Sequence, residues 1–235
     1  EWLHQVVKNF NNASKVSGEL QIDTHPIMVE ILQETVDGKK KDYRSGTMIS
    51  DTMKGKIKPT ILSPGEESWL VKFASEYKTL HGVTPIRGES PILVRTPLVV
   101  AMWQSRAKAF GCYPTVSPHC TWEKIFQLAS SPEGWKLLGK PEWKKFTFGY
   151  GYFGESNSGT LGITAMCMAG LGKVKGLTVA DVEADNGCGK LIGGIEMAKV
   201  HSGKDDRWLL DKMREGGPEY LDAVITYESN VIAMN

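Results

Sequence analysis

The sequence predicts an α/β protein with two lobes, and three observations lead to this fold class. Helical segments alternate with short apolar strand segments, a pattern typical of helices packed on mainly parallel sheets. Two longer strand candidates, "RTPLVVAMW" and "VITYESNVIAMN", begin polar, become apolar and flank one compact segment. The chain has 235 residues with 41% hydrophobic content, which is enough for one large domain or for two lobes that each have a core. We therefore expect an inserted lobe on a two-stranded hinge, with a cleft.

The spacing of apolar residues predicts where the strands and helices lie along the chain. Strands are predicted at Leu20–Asp23, Pro59–Leu62, Ile92–Met102, Phe146–Tyr150 and Ala223–Ile232. Helices are predicted at Glu1–Asn12, Pro26–Val36, Glu66–Leu80, Thr121–Ala129, Ser158–Leu171, Val179–Glu183, Lys190–His201 and Asp206–Glu215. The stretch "SPGEESWL" indicates a capping box, with Ser63 as N-cap, Pro64 at the first helical position and Glu66 three residues after the cap.

Charge and hydropathy exclude two classes of partner. Lys and Arg total 28 and Asp and Glu total 27, so no strong field attracts nucleic acid or an acidic membrane surface. No window has the 18 or more apolar residues of a membrane span, and no signal peptide opens the chain. We expect no nucleic-acid partner and no direct membrane span.

The four cysteines are an even number, which permits two disulfides in an oxidising compartment. Their spacing lacks C-x-x-C, so no zinc site and no other metal site is expected. Cys112 and Cys120 bracket a turn-rich segment that a disulfide would pin. Cys167 lies in the apolar run "TAMCMAG", where a free buried thiol is the common outcome.

Three apparent nucleotide or hydrolase motifs do not fit their chemistry. Gly149, Gly151 and Gly154 spell G-x-G-x-x-G, but aromatic residues occupy the intervening places and the helix begins late. "GCGKL" has Leu191 where a P-loop needs Ser or Thr, and "GESNSG" has Ser158 where a nucleophile elbow needs Gly. No histidine is spaced to activate a serine. We expect no enzyme activity, no catalytic residue and no cofactor.

The run "SNSGT" is the strongest candidate for a binding site. The first N–H groups of a helix are unpaired and the macrodipole is positive there, which favours an anion or a ligand carboxylate. Asn157 or Ser158 would cap the helix, and Gly159 would let a ligand approach the backbone. Simple capping, with no ligand, is the alternative.

The stretches "PTILSPGEESWL", "RTPLVVAMW", "TWEKIFQLASSPEGWKLLGKPEWKKFTFGYGYFGESNSGT" and the run from "GLTVADVEADNGCGK" to "VITYESNVI" occur in this order. Together they resemble the extracellular solute-binding proteins of ABC transporters. The resemblance is to the type II, molybdate- and phosphate-like domains, often encoded with a von Willebrand factor A domain. It implies a Venus-flytrap fold: lobe 1 at 1–97, lobe 2 at 98–226 and a return hinge strand at 227–235.

The resemblance also implies which residues line the cleft. In the first lobe they are Ser63, Pro64 and Gly65, and Thr96 and Pro97 lie on the first crossing strand. The second lobe contributes Ser156, Asn157, Ser158 and Gly159, and the returning strand contributes Tyr227, Glu228 and Ser229. The family's opening strand and the C-terminal part of lobe 1 are lacking. We therefore expect either that the chain is a fragment or that another polypeptide completes lobe 1.

The expected function is capture of a small polar ligand, an oxyanion or a small carboxylate or zwitterion, for ABC-type uptake or sensing. The expected partners are this ligand and a membrane transporter or a von Willebrand factor A domain. The expected location is extracellular or periplasmic, secreted or surface-anchored. The alternative is an adhesion or signalling module with the same fold and no transport role, whose cleft is filled by its own side chains.

Overall fold

The computed structural model describes residues 2–88, 90–115, 117–184 and 187–234, so Glu1 and Asn235, which end predicted ranges, lie outside the described residues. Its helices and mixed four-stranded sheet confirm the α/β class. The chain divides into two compact units. The first contains Glu1–Tyr43 and Gly55–Leu62, and the second contains Arg44–Lys54 and Ser63–Asn235. The lobe boundaries after residues 97 and 226 stay predictions.

In its described residues, the first unit contains one α-helix, a short 3-10 helix at Gly18–Leu20 and two small hairpins. Its elements are α1 (Trp2–Ser14), β1 (Gln21–Ile22), β2 (His25–Pro26), β3 (Gln33–Val36) and β4 (Lys39–Asp42). The predicted helix Pro26–Val36 is wrong, because Asp37 and Gly38 both have positive φ, 52° and 74°, and form a two-residue turn that pairs β3 with β4. The predicted strand Pro59–Leu62 is also wrong, since these residues are irregular.

The second unit is built around β5 (Leu98–Met102), β6 (Phe148–Gly151), β7 (Lys199–Gly203) and β8 (Ala223–Tyr227). The strand order is β5-β8-β6-β7. β8 runs antiparallel to β5 and parallel to β6, and β6 runs parallel to β7. Its helices are α2 (Ser45–Met53), α3 (Ser68–His81), α4 (Gln104–Phe110), α5 (Trp122–Ser130), α6 (Asn157–Gly170), α7 (Val179–Glu183), α8 (Cys188–Glu196), α9 (Asp206–Gly216) and α10 (Glu228–Met234).

Helices cover both faces of this sheet. Successive side chains of a strand point to opposite faces. Accordingly, Ala223 and Ile225 of β8 pack in the core formed with α5, α6 and α8, whereas Val224 packs in a second core with α9. The connection after β6 thus crosses one face, and the connection after β7 crosses the other.

Three predicted elements differ clearly in extent from the observed ones. The strand Ile92–Met102 begins only at Leu98, and the helix Lys190–His201 is divided into α8 and β7. The strand Ala223–Ile232 stops at Tyr227 and continues as α10, because Val231 and Met234, three residues apart, pack on the α9 core.

The capping box at Ser63 is wrong as well. Helix α3 begins at Ser68, and the Glu66 carboxylate accepts a hydrogen bond from the Ser68 N–H at 2.8 Å. Residues 63–65 do not start a helix, and the Gly65 N–H donates to the Ser45 hydroxyl at 2.9 Å. Gly65 also lies against Asn157.

Two disulfides join all four cysteines. Cys112 pairs with Cys120, which confirms the disulfide predicted to constrain the turn-rich segment between them. Cys167 is not a free thiol, since it pairs with Cys188 and joins α6 to α8. The two disulfides are compatible with an oxidising, extracellular compartment. In the described parts of the chain, no helix combines the length and apolar character needed to cross a membrane.

Candidate functional site

The site lies at the carboxyl ends of β6, β7 and β8, which share one edge of the sheet because these strands are mutually parallel. After β6 the chain enters α6 on one face, and after β7 it enters α9 on the other. Neighbouring strands whose connections leave to opposite faces form a topological switch point, where ligands of open α/β sheets bind.

Helix α6 begins at this edge with Ser156 as its N-cap, rather than with Asn157 or Ser158. The Ser156 hydroxyl accepts a hydrogen bond from the Gly159 N–H at 3.4 Å. Two glycines allow this close approach. A Cβ on Gly151 would lie 2.7 Å from the Ser156 Cβ, and one on Gly159 would collide with the Gly151 carbonyl. The helix start is therefore pressed directly onto the end of β6.

A buried chain of hydroxyl groups joins the two helix starts. The Ser156 and Ser158 hydroxyl oxygens are 2.8 Å apart, and the Ser158 hydroxyl donates to the Asp206 carboxylate at 2.8 Å. The other Asp206 oxygen accepts from the Thr226 hydroxyl at 2.7 Å and from the Asn230 amide at 2.9 Å. Asp206 is therefore the acceptor at the centre of the site.

Sequence reasoning missed Asp206, Thr226 and Asn230. Two local signals were available: Asp206 stands in the first turn of an amphipathic helix, and Thr226 interrupts the apolar strand "AVITY". Neither signal indicates a partner, since Ser158 and Asp206 are 48 residues apart.

Asn157 is a second centre, joining segments that are far apart in sequence. Its side-chain oxygen accepts from the Trp69 indole N–H at 2.7 Å, and its amide donates to the Tyr227 hydroxyl at 2.5 Å. A Cβ on Gly65 would lie 2.7 Å from the Asn157 amide nitrogen. Gly65, Asn157 and Tyr227, each implied as a cleft residue by the family resemblance, thus meet here.

The surroundings of Tyr227 favour its protonated form. Burial raises the pKa of its hydroxyl to about 12, and the charges of Asp206 and Glu66 act in the same direction. The hydrogen bond from Asn157 opposes this shift. Arg44 is paired with Glu155 at 2.7 Å and donates to the Lys204 carbonyl at 3.3 Å. Tyr227 is therefore a neutral hydroxyl donor at ordinary pH.

The remaining predicted cleft residues form a separate group or lie beside the cluster. The Thr96 hydroxyl accepts from the Ser229 N–H at 3.2 Å, and the Pro97 carbonyl accepts from the Glu228 N–H at 3.0 Å. These contacts fix the start of β5 against the end of β8. Ser63 and Pro64 directly precede Gly65 in the chain.

Within the described ranges, no group of three or more His, Cys, Asp or Glu side chains is placed to hold a metal ion. No protein-family model, no curated protein and no solved structure matches the chain.

Proposed function

We propose that this protein is an extracellular solute-binding domain that captures a small polar ligand for ABC-type uptake or sensing. The observation that carries the proposal is the convergence of two helix starts and their polar side chains at the switch point of the sheet. Asn157 and Ser158 come from α6, Asp206 from α9 and Tyr227 from the end of β8. A few convergent polar groups on a rigid scaffold are what a small-ligand site requires.

The two-lobe, Venus-flytrap architecture belongs to this proposal. It is supported by the antiparallel pairing of β5 with β8, which places side by side the strands predicted to cross between lobes. Ligand binding would shift an equilibrium from an open toward a closed arrangement, and a transporter or a von Willebrand factor A domain would bind the closed form.

Native mass spectrometry followed by calorimetric titration tests the proposal. Protein purified without reductant should carry a small molecule that is lost on denaturation. Protein refolded without ligand should bind one member of a panel of phosphate, sulfate, molybdate and free amino acids. Replacing Asn157 with Ala should weaken that binding about tenfold or more, since one or more hydrogen bonds to ligand would be lost.

The matched control is Asn230→Ala, which also removes amide hydrogen bonds in the same region, those to Asp206 and Thr226, but leaves Asn157 and Tyr227 in place. It should retain more of the affinity than Asn157→Ala. A folded protein that carries no small molecule and gives no heat with any of the panel would refute the proposal.

A second candidate function is an adhesion or signalling module without a transported ligand. It is favoured by the use of the Asn157 side chain within the protein, where Trp69 and Tyr227 already bond to it and Gly65 covers it. In this case the polar cluster only stabilises the fold. Asn157→Ala would then lower the midpoint of thermal unfolding, while the panel of small molecules would leave the midpoints of both proteins unchanged.

A further inference from the structure

The four-stranded sheet has two edge strands, β5 and β7, and they differ in the features that prevent further strand pairing. An edge strand presents a row of backbone N–H and C=O groups that can bond to another strand, and charges or bulges on the edge discourage this. β7 begins with Lys199, and its register with β6 shifts between Phe148 and Gly149. β5 has the sequence LVVAM, without a charge, and its register with β8 is regular throughout.

Every second residue of β5 directs its backbone groups away from the sheet. In an antiparallel ladder, alternate residues exchange hydrogen bonds with the neighbouring strand. The Glu228 N–H donates to the Pro97 carbonyl at 3.0 Å, and this pair continues the β5–β8 register by one residue. Residues 99 and 101 therefore bond to β8, and the N–H and C=O groups of residues 98, 100 and 102 point to the free edge. Among the described residues, no hydrogen bond to these outward groups is found.

The burial of β5 agrees with an uncovered edge. The residues of β6 are all buried, as are Ala223–Thr226 of β8, whereas every residue of β5 is only partly buried. The side chains of Leu98, Val100 and Met102 pack against the core with α5, α6 and α8, so their exposure does not arise from pointing into solvent. The chain leading into β5 is also apolar, with three side chains that are 60% or more exposed: Ile92, Leu93 and Val94. Contiguous exposed apolar surface of this kind marks a protein–protein interface.

The outward-facing residues of β5 are arranged symmetrically, and a second copy of the same strand fits them. When two β5 strands run antiparallel about a two-fold axis at Val100, this residue lies opposite its own counterpart, and Leu98 lies opposite Met102. These are the residues whose backbone groups point outward, so each of those groups obtains a partner. Val99 lies opposite Ala101 on the other face. The pairing sets no like charges opposite each other, which would destabilise it.

We propose that the edge of β5 is a dimer interface, at which two copies of this chain join through antiparallel β5 strands centred on Val100. The two four-stranded sheets would form one continuous sheet. Because the pairing uses the β5 edge of both copies, the assembly closes at two. The segment 92–94 of each copy would extend beyond the partner's Met102 and add apolar area to the interface. This inference does not depend on a bound ligand, so it stands or falls separately from the proposed function.

Sedimentation equilibrium of the full chain, purified without reductant, tests the inference. The unaltered protein should be a dimer with a dissociation constant below about 0.1 mM. Val100→Lys and Val100→Glu each place like charges at the two-fold axis, so each variant alone should dimerise at least about tenfold more weakly. In a mixture of the two variants, the introduced lysine faces the introduced glutamate, and a heterodimer should form. This recovery requires position 100 to lie opposite itself.

The matched control is Val200→Lys, which adds the same charge to the other edge strand at a residue that is 50% exposed. It should leave the dissociation constant unchanged. Three results would overturn the inference: an unaltered protein that is monomeric at about 0.1 mM, a dimer that Val100→Lys does not weaken, or equal weakening by Val200→Lys. Association that continues beyond two copies would also contradict it, since the pairing leaves no free β5 edge.

Hydrogen exchange keeps the test decisive if the Val100 variants do not fold. In the unaltered protein, the amides of Leu98, Val100 and Met102 should exchange more slowly at high than at low protein concentration, because only the dimer bonds them. The amides of Val99 and Ala101, which bond to β8, are the internal control and should change less with concentration. Exchange at the outward amides that is independent of concentration would refute the inference.

Discussion

Two buried aspartates stand at opposite ends of the same sheet, and they are held in different ways. Asp222, 2% exposed, lies at the start of β8 and is paired with the buried Arg106 at 2.7 Å. It also accepts from the Trp135 indole and from Thr147. Asp206, 7% exposed, lies at the carboxyl ends of the strands and accepts hydrogen bonds from the neutral side chains of Ser158, Thr226 and Asn230.

The difference separates a structural charge from one available for function. At Asp222 the arginine compensates the charge, and Arg106 also stacks 3.8 Å from the centre of the Trp143 ring. At Asp206 the hydroxyl and amide dipoles stabilise the carboxylate without cancelling its charge. Its field therefore extends to Tyr227 and to anything that binds at the switch point.

The largest effect on stability is expected at Asp222, whose charge Arg106 compensates. Arg106→Met leaves the Asp222 carboxylate buried without its cation, which should lower the free energy of unfolding by roughly 3–5 kcal/mol. Urea unfolding followed by circular dichroism measures this change. Arg214→Met is the control, since Arg214 is an exposed arginine whose pairing with Asp211 is worth little. A loss at Arg106 as small as that at Arg214 would contradict the comparison.

A smaller effect is expected where α6 presses on β6. Gly159→Ala places a Cβ against the Gly151 and Tyr152 backbone, which cannot easily move, so we expect a loss of about 1–3 kcal/mol in the free energy of unfolding. Gly193→Ala in α8 is the matched control, because no atom lies within 4 Å of its new Cβ. Removing a helical glycine there should stabilise the protein by roughly 0.5–1 kcal/mol. Equal effects of the two substitutions would show that the Gly159 contact is unimportant.

The comparison also explains how much of the protein the sequence could predict. The helix start at "SNSGT" is a local pattern, so Asn157 could be selected from the residues themselves, whereas Tyr227 was selected only through the family resemblance. The sheet's fourth strand, β7, was missed because the run from Lys190 keeps a helical period beyond the point where α8 ends. The β3–β4 hairpin did have a local signal, "DG", which the apolar spacing of the preceding residues obscured.

The partners of both aspartates could not be predicted, because no local pattern encodes them. Arg106 and Asp222 are separated by 116 residues, and Ser158 and Asp206 by 48. Each pair is brought together by strand order, since β8 lies between β5 and β6. A correct element list still leaves that order open, so burial of the two carboxylates follows only from the three-dimensional fold.

A third expectation concerns the cost of neutralising each carboxylate. Asp206→Asn keeps an oxygen that accepts from neutral donors, so we expect it to lower the free energy of unfolding by about 1 kcal/mol. Asp222→Asn should cost more, since it leaves the Arg106 cation buried without a counter-charge. Chemical denaturation of both variants measures the difference. Equal costs would show that the arginine does not distinguish the two sites.

The smallest and most specific effect is on the titration of Tyr227. Its pKa is raised from 10.0 to about 12, so the unfolded chain loses this proton near pH 10 while the folded protein retains it. The contribution of Tyr227 to stability is therefore complete below pH 10 and is lost as the pH rises from 10 toward 12. Tyr227→Phe should lack this part of the alkaline destabilisation in thermal unfolding measured across that range.

The same hydroxyl reports which aspartate charge is uncompensated. Because the Asp206 charge helps to raise the Tyr227 pKa, Asp206→Asn should lower that pKa toward 10. Asp222→Asn should leave it unchanged, since Asp222 is neutralised by Arg106 at the far end of β8. Ultraviolet titration of tyrosinate, with the spectrum of Tyr227→Phe subtracted, isolates this residue. A fall in the Tyr227 pKa in both variants would mean that Arg106 does not neutralise the effect of the Asp222 charge on Tyr227. The two ends of the sheet would then differ only in burial.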